Sequence, residues 1–175
     1  MSEKISVATG EDIPALNQLV NSAYRGEESK KGWASEADLL DGSRTDEAAL
    51  HELMTDPDTT ILKYVDDGKL LACVELRKEG TKLYLGMLSV KPDLQGTGIG
   101  KKLMEAAETF GREHHCLSVF MTVISVRDKL IDWYLRNGYH LTGERKPFVF
   151  PDERWGIPKQ KLDFIVLEKK LQTDS

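Results

Sequence analysis

The chain predicts a single mixed α/β domain in which an antiparallel strand meander feeds a parallel crossover. Two apolar runs flank Asp66-Asp67-Gly68-Lys69, and Asp-Gly between such runs is a strong hairpin signal. A third apolar run, Leu83 to Val90, leads through a glycine-rich turn and a long amphipathic pattern into a further apolar run. That is the strand–helix–strand order of a parallel crossover. Helical and strand patterns do not alternate strictly along the chain, which argues against a doubly wound sheet.

Taken in order, Ile5 to Ala8 reads as a short strand. Thr9 with Asp12 three residues on opens a helix in the manner of a capping box, with Ile13, Leu16, Val20 and Tyr24 on one face. Pro14 falls in the first turn, where a missing N–H is tolerated. Arg25 to Ser43 breaks the pattern, with Ser35 placed to cap a short turn holding Leu39 and Leu40. Helical spacing resumes from Asp46 to Met54 through Ala49, Leu50 and Leu53, and Asp56-Pro57-Asp58 turns the chain. Strands are expected at Thr60 to Val65 and Leu70 to Arg77, and Glu79-Gly80-Thr81 turns into Leu83 to Val90. A helix with Ile99, Leu103, Ala107 and Phe110 on one face ends near His114. Leu117 to Ile124 is strand, and Lys129 to Asn137 is a helix stopped by Gly138. Tyr139 to Glu144 and Asp163 to Lys169 close the sheet. Between them Arg145 to Gln160 reads as irregular, with three prolines and the aromatics Phe148, Phe150 and Trp155.

Composition narrows the function classes. A net charge of −5 argues against general nucleic-acid binding, which wants a basic face; it weakly suits an amine substrate. No run approaches the roughly 20 apolar residues of a membrane span, and the opening Met1-Ser2-Glu3-Lys4 predicts a cytoplasmic protein. Cys73 and Cys116 lie in apolar strand-like runs and form no C-x-x-C, which fits buried free thiols.

The turn after Val90 carries the chemistry. Backbone N–H groups at a helix N-terminus are unpaired and partially positive, and glycine lets an anion approach them closely. Lys101 and Lys102 stand in the first turn, unfavourable for the helix dipole unless an anion is bound nearby. A Walker A loop fails twice, because Gln95 takes its first glycine position and Lys102 its hydroxyl position. A dinucleotide fingerprint fails because the glycines are two apart and the strand at Cys116 to Val123 ends without the ribose-binding acid. What Gln95-Gly96-Thr97-Gly98-Ile99-Gly100 does match is Q/R-x-x-G-x-G/A, and here the chain resembles the GNAT superfamily of N-acetyltransferases. The second matching segment is Tyr134, Gly138 and Tyr139, as Y-x-x-x-G-F with tyrosine for phenylalanine.

The resemblance implies a three-layer fold over the whole chain, one N-acetyltransferase domain over 1–175, with a mixed, mostly antiparallel sheet of six to seven strands splayed at the cofactor site. It implies acetyl-coenzyme A as co-substrate and no metal, with the pyrophosphate held by the main chain of Gln95, Gly96, Thr97, Gly98, Ile99, Gly100 and Lys101. The pantetheine would pair with backbone at Leu88, Ser89 and Val90. Tyr134 would protonate the departing thiolate; the plainer reading makes it the buried anchor of its helix beside Leu130 and Ile131. Where many members carry a coenzyme-contacting asparagine this chain has Arg127, which suits either a coenzyme contact or a pair with Asp128. No acid lies between Leu83 and Val90, and Tyr84 stands where some members have their basic glutamate. Glu75 on the adjoining strand is the nearest candidate base, with Glu36, Asp38, Asp41 or a relaying water as alternatives. Trp33 and Phe148 to Trp155 are placed to wall the acceptor site or to cap the core. The acceptor would be a small-molecule or peptide amine, a homodimer is the family-based expectation, and neither nucleic acid nor membrane is expected as a partner. The rival reading keeps the fold and the coenzyme but no catalysis, as a sensor or scaffold.

Overall fold

A computed structural model describes residues 4–24, 40–41, 45–147, 157–158 and 163–171. The strands are β1 (Ile5–Val7), β2 (Leu40–Asp41), β3 (Thr59–Asp66), β4 (Lys69–Glu79), β5 (Lys82–Val90), β6 (Ser118–Ile124), β7 (His140–Pro147), β8 (Ile157–Pro158) and β9 (Asp163–Lys170). The helices are α1 (Ile13–Tyr24), α2 (Glu47–Thr55), α3 (Ile99–Glu113) and α4 (Asp128–Arg136). Seven strands form one sheet in the order β1-β3-β4-β5-β6-β9-β7, and every neighbouring pair is antiparallel except β5 and β6. The sheet is therefore mixed and mostly antiparallel, and helices on both faces complete three layers.

Local chemistry explains most of the boundaries. Asp12 accepts from the Thr9 N–H at 2.8 Å ahead of α1, and Asp46 accepts from the Ala49 N–H at 2.7 Å to open α2. Asp67 and Gly68 both take positive φ, the geometry of a tight hairpin turn between β3 and β4. One expectation is corrected: Leu40 is not in a short turn. With Asp41 it forms β2, paired antiparallel to Ile157–Pro158 inside the stretch expected to be irregular. A pairing between segments so far apart leaves no trace in local periodicity.

The two faces of the sheet bury separate clusters. One packs Leu83, Leu85, Leu88 and Val90 of β5 against Leu103, Met104 and Ala107 of α3 and Leu130 and Tyr134 of α4. The other packs Met87, Cys73 and Ile61 against Leu16 and Val20 of α1 and Leu50 of α2. Strict alternation along β5 would put Leu85 and Leu88 on opposite faces. They share one because β5 carries a bulge: Cys73 pairs with Ser89 and Glu75 with Gly86, so three residues of β5 pass where β4 spends two. Met87 takes the strained turn at φ +55 and drops into the α1 face. Cys73 and Cys116 are both free and buried.

Candidate functional site

A β-bulge bends its strand and increases its twist. Here the consequence is a gap. β5 pairs with β6 only at Lys82–Ser118, Leu83–Val119 and Tyr84–Phe120; beyond Tyr84 the two strands part. The opening leads to a groove with about 740 Å³ of empty space, walled by three elements. Leu88 and Val90 come from β5; Gln95, Gly96, Gly98, Gly100 and Lys101 from the turn and the start of α3; Leu130, Trp133 and Asn137 from α4.

The turn takes its shape from glycine. Gly96 and Gly98 adopt φ of +89 and +91, which L-residues resist, and a Cβ built on either would meet no atom within 4 Å. Thr97 spends its N–H and its hydroxyl on the Leu94 carbonyl, at 3.3 and 2.5 Å. Gln95 ties the turn back to the strand through its amide Nε2, which donates to the Val90 carbonyl at 3.2 Å. The first bond within α3 runs from the Lys102 N–H to the Gly98 carbonyl at 3.1 Å, and no side chain caps the helix. The N–H groups of Ile99, Gly100 and Lys101 therefore precede the helical ladder and carry the positive end of its dipole toward the groove. Gly100 has a different task. A Cβ there would make ordinary contact with the Trp133 ring at 3.5 Å and with Val90 at 3.6 Å, so Gly100 leaves a methyl-sized space between α3, α4 and β5.

The other sequence candidates are spread about this gap. Leu88 and Val90 form its β5 wall; Ser89 between them is buried and not among the lining residues, and Ser89 and Val90 pair with Cys73 and Ala72 of β4. Tyr134 is 4% exposed and lies behind the lining, edge-on to the rings of Trp133 at 5.2 Å and Tyr139 at 6.0 Å. Arg127 is buried just ahead of α4 and is not among the residues that line the groove. Glu75 is buried too, with the Arg77 guanidinium 3.9 Å away. By alternation along β4 it shares the α1 face with Cys73, opposite the face of Tyr134, and it stands across from Gly86 where β5 leaves β6. Tyr134 and Glu75 thus lie on opposite faces of the sheet, and neither is among the residues that line the groove. Tyr84 stacks under the Arg77 guanidinium at 4.6 Å and against Phe120 at 5.6 Å, its ring filling the space a side chain at Gly86 would take. Glu36, Asp38, Trp33 and Phe148 to Trp155 lie outside the described residues, as does the side chain of Asp41.

Trp133 and Asn137 belong to neither motif, although with Leu130 they form one stripe at helical spacing along α4 and its C-cap. That stripe is the signal that points to them. Among the described residues no three His, Cys, Asp or Glu side chains cluster as metal ligands, and no helix is long and apolar enough to cross a membrane. The His114 Nδ1–H donates to the Phe110 carbonyl at 2.8 Å, and the ring stacks on that of Phe110.

A family model described as the acetyltransferase (GNAT) family matches residues 14–139. No curated protein matches the chain. Among solved structures it is similar to the ribosomal-protein-S18-alanine N-acetyltransferase from Escherichia coli, at 15% identity over 98% of this chain and 95% of that one, with a TM-score of 0.72. It is also similar to the ribosomal-protein-alanine N-acetyltransferase from Brucella melitensis, at 19% identity over 95% and 99% of the two chains, TM-score 0.70. A third is the PaiA N-acetyltransferase from Thermoplasma acidophilum in complex with coenzyme A, at 21% identity over 97% and 99%, TM-score 0.67. At these identities the structural likeness is one of fold.

Proposed function

The chain belongs to the acetyltransferase (GNAT) family, and from that premise we propose that it is an N-acetyltransferase moving an acetyl group from acetyl-coenzyme A to a primary amine by direct attack in a ternary complex. The observation that carries this reading is the parting of β5 and β6 beside an uncapped helix N-terminus whose two left-handed glycines leave open space. A diphosphate suits the turn because its charge meets the N–H groups of Ile99, Gly100 and Lys101 and the Lys101 ammonium. A narrow polar-amide chain suits the gap because β5 runs past it as extended backbone at Leu88, Ser89 and Val90, as in strand addition. When bound, acetyl-coenzyme A supplies an activated thioester.

The chain's own residues then have separable tasks. Gly96 and Gly98 admit the anion, and Leu130 and Trp133 exclude water from the apolar side of the groove. Tyr134, a phenol held in a dry setting, delivers a proton to the leaving sulfur, general-acid help worth about 10²–10⁴ in rate. Glu75 takes the proton from the attacking ammonium on the opposite side of the sheet. Having acid and base on opposite sides suits two substrates that enter from opposite faces.

The test is an amine panel with thiol release as the readout, run beside calorimetry with coenzyme A. Turnover with at least one amine class, and a kcat lowered about 100-fold or more in Tyr134→Phe at unchanged coenzyme affinity, is the expected result. Coenzyme binding with no turnover across the panel would favour the sensor reading instead.

A further inference from the structure

The second motif departs from its family pattern at Tyr139, and the structure gives the extra hydroxyl a use. Tyr139 is 2% exposed and donates to Glu108 Oε2 of α3 at 3.1 Å. Burial and then the neighbouring Glu108 carboxylate hold this phenol far above the ordinary tyrosine range, so it is a donor at any working pH. The other carboxylate oxygen, Oε1, accepts from Lys169 Nζ of β9 at 3.0 Å. Lys169 in turn donates to the Asn137 carbonyl at 3.1 Å, and its ammonium lies 5.6 Å over the Tyr139 ring. A buried carboxylate with its two oxygens held by donors from two other parts of the chain is a rigid joint, because losing either donor leaves a carboxylate oxygen under-satisfied in a largely desolvated setting.

Every arm of that joint ends at the site. Asn137, whose carbonyl Lys169 holds, lines the groove. It also lines a second, polar cavity of about 650 Å³ that continues the groove between α3 and α4, with Glu108 and Lys169 in its wall. The Tyr139 N–H donates to the Tyr134 carbonyl at 3.1 Å, and the two rings meet edge-on. Glu108 thus reaches Tyr134 through one intermediate residue and Asn137 through another.

We propose that Glu108, with Tyr139 and Lys169, is a positioning assembly: it sets the last turn of α4 against α3, and so places the Tyr134 phenol and the Asn137 wall relative to the groove. This rests on the N-acetyltransferase reading above. It explains why a tyrosine here accompanies a buried glutamate on α3 and a lysine on β9, three residues that no local motif joins. None of the three touches substrate in this scheme; each acts through Tyr134 or Asn137.

The test is a double-mutant cycle with a binding measurement beside it. Glu108→Gln and Tyr139→Phe should each weaken coenzyme A about fivefold by calorimetry and lower kcat about tenfold, since small misplacements near reacting groups are costly. Thermal unfolding establishes that both are folded at the assay temperature. In a Tyr134→Phe background the same substitutions should lower kcat less than twofold, because the group they position is gone. Lys169→Arg should retain more activity than Lys169→Met. If the kcat effects of Glu108→Gln and Tyr134→Phe multiply, or if both single variants bind and turn over like the wild type, the assembly is only a structural tie and the proposal falls. Should Glu108→Gln not fold, Tyr139→Phe keeps the ring and loses only a hydroxyl, and decides by the same comparison. A wild type that binds no coenzyme A would instead overturn the functional reading itself.

Discussion

Replacing Gly98 by aspartate separates the fold from the proposed coenzyme site. The residue sits at φ 91 and ψ −1, one position ahead of α3. An L-residue there costs about 1–2 kcal/mol, and aspartate, which visits this region more readily than most, falls toward the lower end. A new Cβ meets nothing within 4 Å, so no packing penalty is added. The carboxylate also stands at the positive end of the helix, a gain of about 0.3–1 kcal/mol. The net change in stability is therefore within roughly 1 kcal/mol, a melting shift of about 2–4 °C for a chain of this size. Binding is another matter. A carboxylate about 4 Å from a diphosphate charge opposes it by about 4 kcal/mol at an effective dielectric of 20, close to three orders of magnitude in affinity. Calorimetry with coenzyme A and a circular-dichroism melt read the two effects separately. Gly98→Ala, with the strain but not the charge, should show a similar or slightly larger melting shift and keep its coenzyme affinity far closer to the wild type than Gly98→Asp does. Equal coenzyme affinity in wild type and Gly98→Asp would refute the placement of the diphosphate on this turn.

Gly86→Ala should destabilise the chain by about 1–3 kcal/mol, because the added Cβ would lie 2.7 Å from the Tyr84 ring and force it off Arg77 and Phe120. The check is a urea midpoint that falls at constant m-value; an unchanged midpoint contradicts the packing described. Asp12 bears on acid stability. Burial pushes its carboxyl up, but the Thr9 N–H and the Lys63 ammonium at 2.9 Å outweigh burial and hold it below the usual range. A carboxyl depressed in the folded state stabilises fully above its unfolded value of about 3.9 and loses that contribution as pH falls through the folded value. Asp12→Asn should therefore be less stable near neutrality and lose less on acidification below about pH 4; a stability gap that stays constant down to pH 2 contradicts this. Glu75→Gln should remove the acid limb from the pH profile of kcat while leaving coenzyme affinity unchanged, and an acid limb that persists would pass the base role to another carboxylate or to water.

Much of the fold and part of the site were legible because their determinants are local. Asp67-Gly68 turns a hairpin wherever it stands between two apolar runs, and Gly138 at φ +93 ends α4 as its position after a helical stripe implies. The phosphate-type turn belongs to the same class, since the φ values of Gly96 and Gly98 and the uncapped start of α3 depend on residues within one loop. Other features were not legible, for stated reasons. The bulge at Met87 depends on how β5 lies against β4, and it reverses which of Met87 and Leu88 faces α3. The pairing of Leu40–Asp41 with Ile157–Pro158 joins two segments whose local patterns announce nothing.

By itself the sequence determined the order along the chain of the helices and of the strands in the seven-stranded sheet, the glycine turn ahead of α3 and membership of a recognisable family, because hydrophobic period, glycine placement and short motifs act within a few residues. Only the tertiary structure decided where β5 and β6 part, beyond Tyr84 and Phe120, that Tyr134 and Glu75 stand on opposite faces of the sheet, and that Glu108, Tyr139 and Lys169 meet. Those are facts about which strand lies beside which. Bending β5 at its bulge, and ending its ladder with β6 there, takes the packing of both sheet faces at once, and no window along the chain contains it.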